Sequence, residues 1–116
     1  MRHRKKKTTL DRKKAPREAL LRNLAGSLII YEKIQTSDAK ARAVRPIVEK
    51  LITTSKVNNL TNRRKLLSYL YTENAVKKLL EVLGPKYKER KGGYTRTMKI
   101  GPRQGDGANV VQIELV

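Results

Sequence analysis

The residues that could carry out acid–base or metal chemistry are few and scattered along this sequence. The one histidine, His3, lies between Arg2 and Arg4, and without a fixed carboxylate nearby it is a poor general base and a poor metal ligand. The ten acidic residues occur singly, and no cysteine is present. No metal-binding or phosphate-loop pattern is found either. The sequence therefore predicts that the chain is not an enzyme and needs no cofactor and no metal.

Basic side chains are the charged groups that the sequence has in abundance. Lys and Arg number 28 against 10 Asp and Glu, which gives a formal net charge of +18 over 116 residues. A small domain with this charge repels itself unless a polyanion neutralises it. Nucleic acid presents a fixed negative charge at every phosphate. We therefore expect a nucleic-acid partner and no small-molecule substrate.

The hydropathy pattern bears on where the chain works. It has no run of about 18 apolar residues that could span a membrane. Its basic N-terminus lacks the apolar stretch of a secretory signal. The lack of cysteine is consistent with a reducing compartment. We expect a cytoplasmic protein without a membrane partner.

The first basic segment, residues 1–17, holds nine Lys or Arg and one Asp. Within residues 1–14 only Met1 and Leu10 are large and apolar, so this stretch cannot bury enough surface to order itself. We expect residues 1–14 to form an extended tail. Its arginines would fork onto phosphate oxygens and its lysines would act as point charges. A solvated tail or a nuclear-localisation-like run is the alternative interpretation.

A second basic segment, residues 86–96, interleaves cations with two tyrosines and two glycines. Aromatic rings can stack on unpaired bases while Arg and Lys hold phosphate. The alternative is a mobile loop in which Tyr87 and Tyr94 cover the edge of the core. The cations favoured for RNA contact here are Arg90, Lys91 and Arg96.

Hydrophobic spacing predicts the two long helices that must support these segments. The first begins near Pro16, a residue suited to the first helical position, and contains Gly26, which weakens it and suggests close packing. Thr36 or Ser37 caps the second helix, which Pro46 either kinks or delays. Their apolar residues are Leu20, Leu24 and Leu28 in the first, and Val44, Val48 and Ile52 in the second.

A third, shorter helix is marked by Leu66, Leu67 and Leu70. Thr72 caps a fourth, and Gly84-Pro85 is expected to end it, because Gly suits the position after a helix and Pro cannot continue one. The apolar face of the fourth helix comprises Val76, Leu79, Leu80 and Leu83.

Alternating side chains predict a small sheet beside these helices. A short strand covers residues 33–36, and residues 94–100 and 111–115 alternate as the two strands of a long hairpin around a Gly-rich turn. The expected fold is one α+β domain, residues 15–116, in the order α-β-α-α-α-β-β. Its helices pack on a small sheet, and the basic extended tail precedes it.

Motifs along essentially the whole chain resemble the bacterial large-subunit ribosomal protein bL17 family. Single motifs are weak, but their colinear order is specific. The sequence departs from the family where Asp11 stands for an Asn and where a His/Ser-rich step into the first helix is absent. The matching stretches are 1–5, 22–28, 34–36, 39–41, 45–46, 51–53, 63–64, 83–85, 92–96, 105–106 and 113–115.

This resemblance implies a compact α+β domain packed on ribosomal RNA near the rim of the polypeptide exit tunnel. It also implies neighbouring large-subunit ribosomal proteins and a role in assembly or stability without catalysis. From the basic segments and the resemblance together, the residues expected to bind RNA are Arg2, His3, Arg4, Lys5, Lys6, Lys7, Arg12, Lys13, Lys14, Arg17, Arg22, Asn23, Lys40, Arg63, Arg64, Arg90, Lys91, Tyr94, Arg96 and Arg103.

Two other function classes compete with this interpretation. A nucleoid-type DNA-binding protein needs a dimeric body or a groove-reading helix, and no apolar heptad seam or clear recognition helix is visible. A small RNA-processing enzyme needs a general base and a carboxylate cluster, which the sequence lacks.

Overall fold

The computed structural model describes residues 13–116, in which three long helices supply much of the core. The helices are α1 (Lys14–Tyr31), α2 (Asp38–Ser55) and α3 (Leu60–Leu70). The α+β class and the predicted element order are both confirmed. Of the predicted tail, residues 1–14, the first twelve lie outside the described part of the chain, and Lys14 is the first residue of α1.

Helix α1 begins earlier than the sequence suggested. Lys14 is its first residue and Lys13 precedes it in extended conformation, so the predicted start near Pro16 was two residues late. Pro16 is accommodated because backbone N–H groups in a first turn have no partner within the helix. A Cβ added at Gly26 would have no neighbour within 4 Å. The expected close packing at Gly26 was therefore wrong.

Helix α2 runs without a break through Pro46, so the predicted alternative of a late start is wrong. Ser37 is the residue before the helix, and Asp38 lies in its positive first turn as expected. Ser37 makes no side-chain capping bond. Helix α3 has a side-chain cap, since Asn59 accepts a hydrogen bond from the backbone N–H of Asn62 at 2.8 Å.

The fourth helical stretch continues through Gly84-Pro85, so the predicted stop there was wrong. It consists of α4 (Glu73–Lys78), a π-helical segment (Leu79–Leu83) and the short α5 (Gly84–Lys86). The widened turn lets the N–H of Gly84 bond to the carbonyl of Leu79. A π turn is one way for a helix to pass a residue that lacks an N–H.

Gly84 is needed at this place for a different reason. It has right-handed helical angles, with φ −54° and ψ −56°, so it does not supply the left-handed conformation of a helix end. A Cβ added to it would lie 2.4 Å from the carbonyl oxygen of Ser55. The glycine therefore permits a backbone contact between the end of α2 and the start of α5.

The sheet has three antiparallel strands in the order β1-β3-β2. The strands are β1 (Lys33–Ser37), β2 (Thr95–Pro102) and β3 (Asn109–Leu115). Ile113 of β3 pairs with Ile34 on one side and with Thr97 on the other. The predicted hairpin of β2 and β3 is confirmed, with a bulge between Lys99 and Gly101.

One face of the sheet packs on the helices. Val111, Ile113 and Leu115 of β3 are buried, whereas Met98 and Ile100 of β2 are exposed. Helix α2 packs against α1, α3, the π-helical segment and β3, and so lies at the centre of the core. The buried apolar residues are Ala25, Leu28, Ile29, Ala41, Val44, Val48, Ile52, Leu66, Leu70, Ala75, Val76, Leu79, Leu80, Leu83, Tyr87, Tyr94, Val111, Ile113 and Leu115.

Candidate nucleic-acid interface

The structure places thirteen of the twenty residues expected to bind RNA. The other seven, Arg2, His3, Arg4, Lys5, Lys6, Lys7 and Arg12, lie outside the described residues 13–116.

The start of α1 is the first cationic site. Lys13 and Lys14 are exposed, Arg17 is half-buried, and the first turn holds no acidic residue. Cations at a helix N-terminus oppose the helix dipole and cost about 0.3–1 kcal/mol each. Helix stability therefore does not explain these residues, whereas an anionic partner would. Asn23 lies further along the same helix and is also exposed.

The start of α3 repeats this arrangement. Arg63 and Arg64 are exposed, and the first turn of α3 also lacks an acidic residue. The connection from α2 is fixed by Asn62, whose side-chain amide donates to the carbonyls of Thr54 at 3.2 Å and Val57 at 2.9 Å. These bonds orient the start of α3, and with it the two arginines, relative to α2.

The segment between α5 and β2 presents the next two cations. Arg90 and Lys91 are exposed, but the backbone beneath them is tied down. The Lys56 ammonium donates to the carbonyl of Arg90, and the N–H of Arg90 donates to the carbonyl of Tyr87 at 3.0 Å. Gly92 and the following Gly93 take positive φ angles of 85° and 63°, which favour glycine.

The side chain of Tyr94 lies in the core of the domain, so its ring does not present the open stacking face that the sequence suggested. Its side chain is 1% exposed, and its ring lies 5.2 Å from the ring of Tyr87. A base cannot stack on a ring that is almost completely buried. Burial alone would raise the pKa of the Tyr94 phenol, but hydrogen bonds with Lys56 and Thr53 outweigh burial and lower it. The burial of Tyr87 and Tyr94 agrees with the alternative interpretation, in which the two tyrosines cover the edge of the core.

Glu49 is a positioning residue that the sequence did not reveal. Its carboxylate accepts the backbone N–H of Tyr94 at 3.1 Å and the hydroxyl of Thr95 at 3.4 Å. These bonds join α2 to the start of β2 and hold the basic segment against the domain. A lone glutamate in a helical pattern gives no local signal of this role.

Two of the predicted arginines are engaged by carboxylates. Arg96 donates to Glu114 across the β2–β3 pair at 2.9 Å. Arg103 donates to Asp106 at the hairpin turn, with Nε 3.1 Å from Oδ1. The hydrogen bond from Arg103 and that from the Ala108 N–H lower the pKa of Asp106 to about 2. The same pairing raises the pKa of Arg103.

Arg22 packs between two aromatic rings. Its guanidinium carbon lies 5.5 Å from the ring centre of Tyr69 and 4.7 Å from that of Tyr71, which is cation–π geometry. Burial raises the pKa of the Tyr69 phenol. Arg22 thus contributes to the packing of α1 against the end of α3. Lys40, in the first turn of α2, is half-buried.

The exposed cations lie at the start of α1, at the start of α3 and in the segment between α5 and β2, and each of these places can bind anions. At the start of α3 a capping bond holds the backbone in place, and at Arg90 a hydrogen bond from Lys56 does so. Within residues 13–116 no group of three or more His, Cys, Asp or Glu could hold a metal ion. No helix of the same residues is long and apolar enough to cross a membrane.

Comparison with known proteins gives a consistent family. The family model described as "Ribosomal protein L17" matches residues 20–116. A protein named large ribosomal subunit protein bL17 from Carboxydothermus hydrogenoformans is 53% identical over 107 residues, covering 92% of this chain and 96% of that relative. Proteins of the same name from an Exiguobacterium species and from Natranaerobius thermophilus are 54% and 53% identical, each covering 92% of this chain and 96% and 95% of the relative. This chain therefore belongs to the ribosomal protein L17 family.

Proposed function

We propose that this chain is a structural component of the bacterial large ribosomal subunit and binds ribosomal RNA through its basic surface. Its relatives carry the name of a large-subunit protein, which supports the assignment to that subunit. Membership in a family of ribosomal proteins also confirms the expectation that the chain is not an enzyme. The protein works in the cytoplasm, on the ribosome.

One observation supports the RNA-binding part most directly. The first turns of α1 and α3 both lack an acidic residue, while exposed cations lie in or next to them. These side chains weaken their helices on their own, so a polyanion that neutralises them explains their presence. Ribosomal RNA offers that charge in a fixed arrangement.

The tail and the location in the subunit complete the proposal. Residues 1–12 hold six Lys or Arg, which would enter crevices between phosphates. The site is near the rim of the polypeptide exit tunnel, beside other large-subunit proteins, as the family resemblance implies.

Sedimentation of the tagged protein from a cell lysate tests this proposal. On a sucrose gradient, we expect the protein to migrate with large subunits, and RNase treatment before loading should release it. A variant with Arg63 and Arg64 changed to Gln should occupy fewer subunits. Its matched control changes Lys33 and Lys77 to Gln, which are exposed cations outside the helix starts and outside residues 86–96. Migration with DNA, or at the top of the gradient in low salt, would contradict the proposal.

A further inference from the structure

A groove between α2 and the hairpin brings together three cations that lie outside the predicted set. Arg42 and Arg45 project from α2, and Lys99 projects from β2. The groove consists of two adjoining depressions of about 260 and 220 Å³. Both are lined by Asp38, Arg42, Lys99 and Val111.

The sheet register explains why a lysine points into this groove. Lys99 pairs with Val111 of β3, and directly opposed residues of an antiparallel pair lie on the same face. Val111 is buried against the helices, so Lys99 lies on the helix-facing side of the sheet. Because β2 is an edge strand, its helix-facing side at Thr97 and Lys99 remains open to solvent beside α2.

The charges in the groove favour an anion. Asp38 is the one acidic residue in its lining, and it is bound to Arg42 at 2.9 Å. Arg45 and Lys99 are exposed and have no carboxylate within 4 Å among residues 13–116. The groove also borders the first turn of α2 at Asp38 and Ala41, where the helix dipole adds positive potential. The net charge of the lining side chains is therefore positive.

The chemistry of the lining indicates which part of an RNA it fits. No aromatic side chain lines either depression, so bases have no ring on which to stack. Arginine and lysine at the lip are suited to phosphate oxygens. We propose that this groove holds a stretch of RNA phosphodiester backbone and binds it without regard to base sequence. The inference rests on the proposed function and names a second contact surface beside the helix starts.

A structural explanation for Lys99 makes a different prediction. An inward-pointing charge on an edge strand can prevent two sheets from pairing edge to edge. In that case, removing Lys99 would cause self-association and leave RNA binding unchanged. The two explanations can therefore be separated by measuring both properties on the same variants.

The deciding experiment compares the salt dependence of binding to a large-subunit rRNA transcript. Arg45→Gln with Lys99→Gln should reduce the slope of log affinity against log salt by about 1.5, since each neutralised phosphate contributes ~0.7–0.9. The matched control, Lys33→Gln with Lys77→Gln, should keep the wild-type slope. Arg45→Lys with Lys99→Arg should also keep it. An unrelated RNA of the same length should show the same loss.

The outcomes distinguish the groove from the proposed function. If the wild-type protein binds with a steep salt dependence and the Arg45/Lys99 variant keeps that slope, the groove proposal is overturned alone. If the wild type shows no salt-dependent binding, the proposed function fails and the groove proposal with it. Sedimentation velocity showing dimers of the Lys99→Gln variant, with an unchanged slope, would assign Lys99 to edge protection. If circular dichroism shows that the double variant is unfolded, Arg45→Gln is measured alone. It should reduce the salt slope by about half as much as is expected for the double variant.

Discussion

Two helical glycines have opposite surroundings, and their substitution separates helix propensity from packing. Gly26 has open space where a Cβ would lie, whereas Gly84 faces the carbonyl oxygen of Ser55 at 2.4 Å. Gly26→Ala should raise the free energy of unfolding by about 0.5–1 kcal/mol, because alanine favours the helix. Gly84→Ala should lower it by about 1–3 kcal/mol, because the backbone must move apart.

Chemical denaturation of the two alanine variants measures both effects against the wild type. The variants serve as controls for each other, since each makes the same substitution inside a helix. Shifts of the same sign in both would contradict the difference in packing.

The Arg103–Asp106 pair predicts a local pH dependence at the hairpin turn. The pKa of Asp106 is about 2 in the folded chain, below the ordinary value of about 3.9. A lowered pKa contributes stability above the unfolded value, and that contribution is lost as the pH falls through the folded value. The turn should therefore loosen between about pH 4 and pH 2. A carboxyl NMR titration would measure it, and Arg103→Gln should move the pKa back upward.

At the scale of elements, the cations at the start of α3 are expected to favour RNA binding and to lower the stability of the helix. Changing Arg63 and Arg64 to Gln should leave the free energy of unfolding unchanged or raise it by up to ~1 kcal/mol, because two cations leave the positive end of α3. The same change should weaken binding to rRNA and reduce its salt slope by about 1.5. Denaturant unfolding and filter binding on one preparation measure the two effects. A loss of stability in step with affinity would indicate that the arginines support the fold instead.

The elements that local patterns specify were predicted well, and tertiary contacts account for the differences. Apolar spacing marked the core face of α2, because a buried helix repeats every three or four residues. Gly84-Pro85 misled because a glycine that ends a helix and a glycine that permits close packing look alike in sequence. Tyr94 is tied to α2 by a hydrogen bond from its backbone N–H to Glu49, 45 residues away in the chain, and no local pattern reports such a contact.

For the predicted binding residues too, the local sequence indicated exposed charge but not the partners that a side chain meets in the folded domain. Exposed cations at helix starts, such as Lys14 and Arg64, were predictable from charge runs. The partners of Arg22 and Arg96 were not, because Tyr71 and Glu114 meet them only once the elements pack. The position of Lys99 in the groove could not be predicted, because it depends on which face of β2 turns toward α2.

At the scale of the whole molecule, positive charge far exceeds what the fold can neutralise. Residues 13–116 carry 22 Lys and Arg against 9 Asp and Glu. Five of these cations form ion pairs with carboxylates within the described residues. The remaining charge lowers the stability of the free domain by self-repulsion. Binding to a polyanion should therefore stabilise it, in addition to contributing affinity.

Removal of residues 1–12 tests how the tail and the domain share this task. The truncated chain should keep its helical circular dichroism, because α1 begins at Lys14 and the core lies within residues 13–116. For binding to an rRNA transcript, the slope of log affinity against log salt should decrease by up to about 4–5, since six Lys or Arg are removed. Replacing the same six residues by Gln in the full-length chain is the matched control and should give the same loss. If the truncation unfolds while the Gln variant stays folded, the first twelve residues belong to the fold, and the division into tail and domain is wrong. If both keep the wild-type slope, the domain surface carries the RNA contacts by itself.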